Sequence, residues 1–380
     1  MVIWMPGPES FTGEDVVEFH VHGSVAVIRR LQIALGQLAG VRPAEAGEFC
    51  RRSFANGRMD LLEAEGLSDL LAAQTDAQHR QALGLVLGQA SSRYSEWRRR
   101  LVVLMGRAEA AIDFVDEGDV TDRVIVQVRQ DIRSLSDELR AVLEDAGRAK
   151  AIREGVKVVL AGPPNVGKSS LLNRLARRDA AIVSPVPGTT RDAIEVMIDV
   201  AGIPVILTDT AGLRSESGDE IEHLGMARAR AKVEEAEIVL WISAYDVLSP
   251  EQAPRMADKV IHVVNKVDMM TGGSSDEVAG DVFVSAQNGE GIDELIDRLT
   301  DKLAAAYRLQ ESNVVVRDRH RMCLQRTIRH LNDSLSHGPQ QLELLCEDLR
   351  SAAQQLGMIT GAVDVEDVLD SIFAEFCIGK

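Results

Sequence analysis

Gly162-Pro163-Pro164-Asn165-Val166-Gly167-Lys168-Ser169 is the stretch whose reading decides the fold. It follows the apolar run Val156-Lys157-Val158-Val159-Leu160-Ala161 and leads into a helical pattern from Ser170 to Leu175. A buried strand that enters a glycine-rich turn and then a helix is the context a phosphate-binding loop requires. The N–H groups from Asn165 through Ser170 then meet phosphate oxygens at the positive end of the helix. Lys168 is expected to reach the β- and γ-phosphates, and Ser169 to hold magnesium. A chance match would leave Lys168 as an exposed lysine at a helix start, but here strand and helix flank it on both sides.

Outward from this loop, Asp209-Thr210-Ala211-Gly212 closes the apolar run Val205–Thr208. A carboxylate there reaches a magnesium shell through water, and the Gly212 N–H senses a γ-phosphate. Pro187-Gly188-Thr189-Thr190-Arg191-Asp192 lies between helix and strand, and Thr190 is expected to complete the magnesium shell. Base choice falls to Asn265-Lys266-Val267-Asp268. The Asp268 carboxylate accepts both N1–H and the 2-amino group of guanine, a donor pair that adenine lacks. Asn265 holds the base and the neighbouring loop, the stem of Lys266 packs on the purine face, and Ser285-Ala286 supplies a backbone donor to O6. Four elements in this order point to GTP. After Gly212 comes Leu213, which cannot orient an attacking water. Glu216, Glu220 and Glu222 follow as candidates for that work, with Arg191 and Arg214 available to neutralise charge.

Residues 155 to about 306 alternate apolar strands with helical runs, the pattern of a parallel sheet covered on both faces. Strands are expected at 156–161, 194–200, 203–208, 238–243, 260–264 and 282–285, with Ala201-Gly202 turning an antiparallel hairpin. Around this insert the spacing is helical: Leu61 to about Leu87, Tyr94 to about Ile112, Val124 to about Ile152, Val314 to Leu335, Leu342 to Leu356 and Val365 to Phe376. Helices on both sides of an α/β insert imply one helical domain built from two separated pieces. Residues 1 to about 50 hold an expected strand at Val16–Val21 and a helix at Val25–Leu38, too little for a core of their own.

At 380 residues, 45% of them hydrophobic, the chain is long enough for two or three domains. A formal charge of -17 excludes steering of polyanions by the molecule as a whole. Nucleic acid would need local basic surface, such as Arg93 with Arg98–Arg100, or Arg317, Arg319, Arg321, Arg326 and Arg329; a solvated helix face accounts for either run equally well. Cys50, Cys323, Cys346 and Cys377 form no knuckle or redox motif, and with no leader at the N-terminus they point to free thiols in a cytoplasmic protein. His20 and His22 lack a third ligand and read as a packed or surface pair. Asp116, Glu117 and Asp119 around Gly118 read as a solvated acidic loop.

Several segments together resemble the tRNA modification GTPases of the MnmE/TrmE family over nearly the whole chain. They are Ser10–Phe19 (SFTGEDVVEF), Ala46–Phe49 (AGEF), Asn56–Leu61 (NGRMDL), Gly188–Asp192 (GTTRD) and the terminal Phe376-Cys377-Ile378-Gly379-Lys380. The resemblance implies a Ras-like P-loop GTPase domain at 154–306 inserted into a discontinuous helical domain at 51–153 and 307–380. Residues 1–50 would be a truncated, folate-binding-like α+β remnant. It implies a potassium-stimulated GTP hydrolase that acts with an FAD-containing MnmG/GidA-type partner to build an aminomethyl-type group on the wobble uridine of tRNA, two GTPase domains meeting across potassium. Asn165 matches the family's potassium-ligating asparagine, and Gly188 and Thr189 its potassium loop. Glu222 matches the glutamate that orients water, while Arg191 and Arg214 match supporting switch arginines. Cys377 matches the tail cysteine facing the modification site, as nucleophile or as a small buried thiol. The family's longer N-terminal domain carries dimerisation and a formyl- or methylene-tetrahydrofolate site, neither of which is carried over to the shorter piece here. A lineage change and a misplaced start both account for that shortness. A ribosome-assembly or regulatory GTPase without modification chemistry, and a truncated paralogue with GTPase activity only, are the alternative readings.

Overall fold

A computed structural model describes residues 1–113, 118–178, 195–209, 232–245, 259–269, 280–307, 314, 317–338, 340–363, 369 and 372–373, with 118–122 and 178 as backbone only. These residues fall into two compact units. One holds 1–73, 79–146 and the described residues from 314 onward; the other holds 74–78 and the described residues of 147–307.

The second unit is a six-stranded sheet with helices. Its strands are β3 (Val156–Ala161), β4 (Glu195–Val200), β5 (Ile203–Asp209), β6 (Ile238–Ala244), β7 (Val260–Asn265) and β8 (Val282–Phe283). Their order is β4-β5-β3-β6-β7-β8, every pairing parallel except the β4–β5 hairpin. Ala201 and Gly202 turn that hairpin with φ of 52° and 80°, the left-handed pair that suits a two-residue loop. Helices among the described residues include α7 (Ala146–Glu154), α8 (Lys168–Arg178) and α9 (Ile292–Ala306). Leu171, Leu172 and Leu175 of α8, with Leu295, Leu299 and Leu303 of α9, are buried in the same core as Val158, Leu160, Val205, Leu207, Leu240 and Val263 of the sheet. Each such side chain contributes about 1.5–3 kcal/mol on burial.

The first unit starts with a hairpin of β1 (Val2–Met5) and β2 (Val16–Phe19), in which Val2 faces Phe19 and Met5 faces Val16. α1 (Val25–Gly36) follows and buries no residue. The loop Ser10–Glu14 is anchored on α2 (Glu48–Ala55): Ser53 Oγ donates to Phe11 O at 2.8 Å, Asn56 Nδ2 donates to Thr12 O at 2.8 Å, and Arg52 pairs with Glu14. Next come α3 (Leu61–Ala72), α4 (Asp76–Val86), α5 (Gln89–Asp113), α6 (Gly118–Glu144), α10 (Asp318–Ser336) and α11 (Leu342–Thr360). α5, α6, α10 and α11 pack as a ring of four, their buried stripes including Trp97, Leu101, Ile132, Leu135, Leu324, Leu331, Leu349 and Leu356.

Two helices expected as single runs are broken. Leu61–Leu87 stops at Ala73 because Thr75 opens a new helix. Its Oγ1 accepts from Gln78 N at 3.2 Å, while Gln78 Oε1 accepts from Thr75 N at 3.1 Å, a reciprocal cap. Leu71, Leu83 and Leu87 of that run are exposed, and Leu61, Leu62, Ala64, Ala82 and Leu85 are buried. The run Val124–Ile152 begins earlier, at Gly118, and divides at Asp145 into α6 and α7. Gly118 and Asp119 therefore belong to a helix rather than an acidic loop, while Asp116 and Glu117 lie outside the described residues.

The interior of the helical unit also holds charge. Glu65 of α3 and His320 of α10 are 1% and 0% exposed and bonded Oε2 to Nε2 at 2.8 Å. Arg319 Nε donates to Glu65 Oε1 at 3.1 Å, and its Nη1 and Nη2 donate to Met358 O and Ile359 O at the end of α11. Arg317 Nη2 reaches Asp69 at 2.8 Å. Burial pushes the Glu65 carboxyl up, but His320, Arg319 and Arg317 together outweigh it and bring it from 4.5 to about 2. Burial holds the His320 imidazole below its ordinary 6.5 against the pull of Glu65. Arg317 and Arg319 are thus neither a solvated face nor open basic surface. Of the other basic run, Arg99 pairs with Glu96 and Arg93 and Arg100 with Glu138.

Candidate functional site: a phosphate loop at the sheet's carboxyl edge

Parallel pairing sets the C-terminal ends of four strands side by side. Leu160 of β3 lies beside Asp209 of β5, Ala161 beside Trp241 of β6, and Ala244 of β6 beside Asn265 of β7. The chain leaves β3 for β5 on one flank and β6 on the other, so a crevice opens outside β3, where ligands of open α/β sheets bind. The loop 162–167 fills this position and runs into the N-terminus of α8.

Gly162 and Gly167 have φ of 139° and 91°. A Cβ on Gly162 would collide with Ile242 O, and one on Gly167 with Asn265 Nδ2, so the loop is held tight against β6 and β7 by the lack of side chains. Asn165 is left-handed at φ 63°, a conformation asparagine tolerates. Lys168 Nζ is turned back onto the loop, donating to Gly162 O at 3.0 Å and Pro163 O at 2.7 Å. Ser169 Oγ donates to the Asp209 carboxylate. A hydroxyl beside a carboxylate at a helix N-terminus is an all-oxygen donor set, which suits a hard divalent cation such as magnesium.

On the other side of the crevice, Asn265 is 2% exposed and bonded at both ends of its amide. Its Nδ2 donates to Val166 O at 2.8 Å, and its Oδ1 accepts from Ala286 N at 3.0 Å. Ser285 Oγ donates to Asp268 Oδ1 at 2.5 Å and accepts from Asn288 N at 3.2 Å. Lys266 sits left-handed at φ 65°, a strained setting worth about 1–3 kcal/mol that the flanking contacts must hold. The segment that carries the donor expected for O6 is therefore locked to the segment that carries Asp268. The Ala286 N–H is already engaged by Asn265, so a bond to O6 would be shared with that contact.

The structure thus brings together Asn165, Val166, Gly167, Lys168, Ser169, Ser170, Asp209, Asn265, Lys266, Asp268, Ser285 and Ala286. Gly188, Thr189, Thr190, Arg191, Gly212, Leu213, Arg214, Glu216, Glu220, Glu222 and Cys377 lie outside the described residues. The tail leading to Cys377 is seen as far as Phe373, buried with Cys50, Leu61 and Ala64. Arg174 of α8 was not singled out from sequence, yet its Nε donates to Ala286 O at 3.0 Å and its Nη2 to Gln287 O. Only its place two turns into the helix after the phosphate loop signals that role. His20 bonds to exposed Glu18 at 2.9 Å, as a surface histidine. No helix among the described residues is long and apolar enough to cross a membrane.

Fold and site together define a P-loop GTPase. Residues 61–377 match the MnmE helical domain and residues 1–58 match the GTP-binding protein TrmE N-terminus, and the chain belongs to the MnmE/TrmE family. The first match runs from the helices before the α/β unit to those after it, which is the architecture of an insert. The tRNA modification GTPase MnmE of Rhodopseudomonas palustris (strain ATCC BAA-98 / CGA009) is 47% identical over 383 residues, covering 100% of this chain and 86% of that protein. The MnmE of Methylobacterium sp. (strain 4-46) is 46% identical over 386 residues, with the same coverage of 100% and 86%. Among solved structures, the G domain of the T. maritima FeoB iron transporter is 26% identical, with a TM-score of 0.28, covering 39% of this chain and 98% of that one.

Proposed function

We propose that this GTPase of the tRNA-modification family is stimulated by potassium and drives an aminomethyl-type modification at C5 of the wobble uridine, together with an FAD-containing MnmG/GidA-type subunit. The observation that carries the GTPase half is Asn265, which bonds the phosphate loop with one end of its amide and the segment at Ser285-Ala286 with the other. Family membership over the whole chain supports the modification half.

In this reading Lys168 exchanges the Gly162 and Pro163 carbonyls for the β- and γ-phosphates, an ion-pairing gain that the present bonds hold in reserve. Ser169 and Thr190 would ligate magnesium, with Asp209 supporting it through water. Asn165, Gly188 and Thr189 hold potassium. When bound, these cations would supply positive charge where negative charge develops during transfer. Gly212 N–H faces the γ-phosphate, and Glu222 orients the attacking water in place of a side chain at Leu213. Asp268 reads guanine, Lys266 covers it, and Ala286 N–H faces O6. Residues 154–306 form the GTPase domain, 51–153 and 307–380 the helical domain, and 1–50 belong to the N-terminal domain. Two GTPase domains associate during hydrolysis. Cys377 takes part in modification through the placement of the tail.

Mass analysis of wobble nucleosides from cells with and without the gene tests this reading. Loss of the C5 substituent on deletion is expected. Unchanged tRNA, with GTP hydrolysis retained by the purified chain, would instead identify a regulatory GTPase.

A further inference from the structure

Within the helical unit, α10 and α11 bring together a set of side chains that neither GTP chemistry nor the helical packing uses. His330 and Asp333 stand three residues apart on α10 and so share a face. Asp348 meets them from α11, and one ligand atom from each of the three lies within 4.8 Å of the others. His330 Nδ1 is buried and has no hydrogen-bond partner. It faces Asp348 Oδ1 at 3.6 Å, too far for a hydrogen bond. That separation matches one edge of a coordination tetrahedron, roughly 3.3–3.6 Å between donors that each stand about 2.0–2.2 Å from a metal.

The remaining oxygen of Asp348 is already committed. His337 Nε2 bonds it at 2.7 Å, and His337 caps the end of α10. Arg129 of α6 donates to Leu335 O at 3.1 Å and to His337 O at 2.7 Å, which fixes the backbone carrying that ring. A surface His–Asp pair would account for His337 alone. It leaves unexplained why a second imidazole nitrogen is buried without a hydrogen bond while two carboxylates converge on it.

We propose that His330, Asp333 and Asp348 bind a divalent cation of the zinc class, with His337 as the positioning residue for Asp348 and water at the fourth position. One imidazole and two carboxylates suit zinc better than magnesium, which asks for six oxygens in an octahedron. The ion would clasp the α10–α11 hairpin, and the exposed Asp333 leaves it a route from solvent.

The test is calorimetric titration of the full chain with Zn2+ after chelator treatment and without nucleotide, repeated with Co2+ while visible absorption is recorded. One equivalent is expected for the wild type, with affinity roughly 10–100-fold lower in His337→Ala and no binding in His330→Ala/Asp348→Asn. Asp333→Asn is the second variant, because an exposed side chain can change without unfolding α10. Zn2+ should raise the melting temperature of the wild type and leave that of Asp333→Asn unmoved. All variants should keep wild-type GTP affinity. No Zn2+ binding by the wild type at micromolar metal, or binding that survives in Asp333→Asn and in the double variant and so belongs to the cysteines, would overturn the proposal.

Discussion

Asn265 Nδ2 lies 2.8 Å from Val166 O, joining the end of β7 to the phosphate loop across ninety-nine residues of chain. The amide oxygen of the same side chain takes the Ala286 N–H, so one buried residue sets the spacing between the segment proposed to meet phosphates and the segment proposed to meet the base.

Asn265→Ala removes both bonds and leaves a carbonyl and an N–H without partners. The α/β unit is expected to lose roughly 2–4 kcal/mol of stability, read by urea denaturation. GTP affinity should fall with it, since Val166 and Ala286 lose their common tether. Wild-type affinity for a fluorescent GTP analogue would show that the tether is dispensable.

Gly167→Ala should be worse for binding than for folding. The new methyl meets Asn265 Nδ2, which is held at both ends and cannot withdraw, and φ at this position is 91°. A strain of about 1–3 kcal/mol is expected, concentrated in the loop. Nucleotide titration together with thermal melting separates the two effects: affinity should drop at least as far as stability.

Asp268→Asn keeps the side chain's size but replaces an acceptor with an amide. Ser285 Oγ, now donating to Oδ1 at 2.5 Å, can still find an acceptor there, so the fold is expected to persist. One of the two acceptor oxygens offered to the guanine edge would become a donor, which costs one bond and sets N–H against N–H, roughly 1.5–3 kcal/mol in the preference for GTP over ATP. Competition between the two nucleotides measures it, and an unchanged preference would remove Asp268 from base recognition.

The charge cluster in the helical unit predicts loss of stability on acidification. His320 titrates below 6.5 when folded. From pH 6.5 downward the unfolded chain therefore takes up a proton that the folded one refuses, and stability falls. Glu65, brought down from 4.5 to about 2, contributes stability that is complete above pH 4.5 and disappears as pH falls toward 2. His320→Gln should flatten the first limb and leave the second. Glu65→Gln should destabilise by roughly 3–5 kcal/mol at neutral pH, because Arg319 keeps its charge without a counter-ion. Denaturation between pH 2 and pH 8 resolves both limbs; equal slopes in wild type and His320→Gln would assign the first limb elsewhere.

Much of the nucleotide unit is legible in the chain because its signals are local. A six-residue apolar run, glycines where φ must be positive, and Asp209 or Asn265 at the last position of a strand all act within a few residues of one another. The Thr75-Asp76-Ala77-Gln78 cap was legible too, but the leucines on either side of it gave a continuous helical period that masked the break. β1 carries little signal, since its exposed positions, Val2 and Trp4, are as apolar as Ile3 and Met5 and leave no alternation to read. Arg317 and Arg319 carry no such local signal. In a helix, a charge bound for the interior has the same spacing as one bound for solvent, and only the partner distinguishes them.

By itself, then, the chain determined a phosphate loop on a parallel sheet, a guanine-type base segment, and helices on both sides of the insert, because backbone geometry and side-chain chemistry at those places are fixed by neighbours in sequence. Tertiary structure alone decided that Glu65 meets His320 across 255 positions, that Arg174 holds the carbonyls after β8, and that His330, Asp333 and Asp348 converge. Such contacts depend on which helix faces are turned together, and packing of the whole unit sets that orientation.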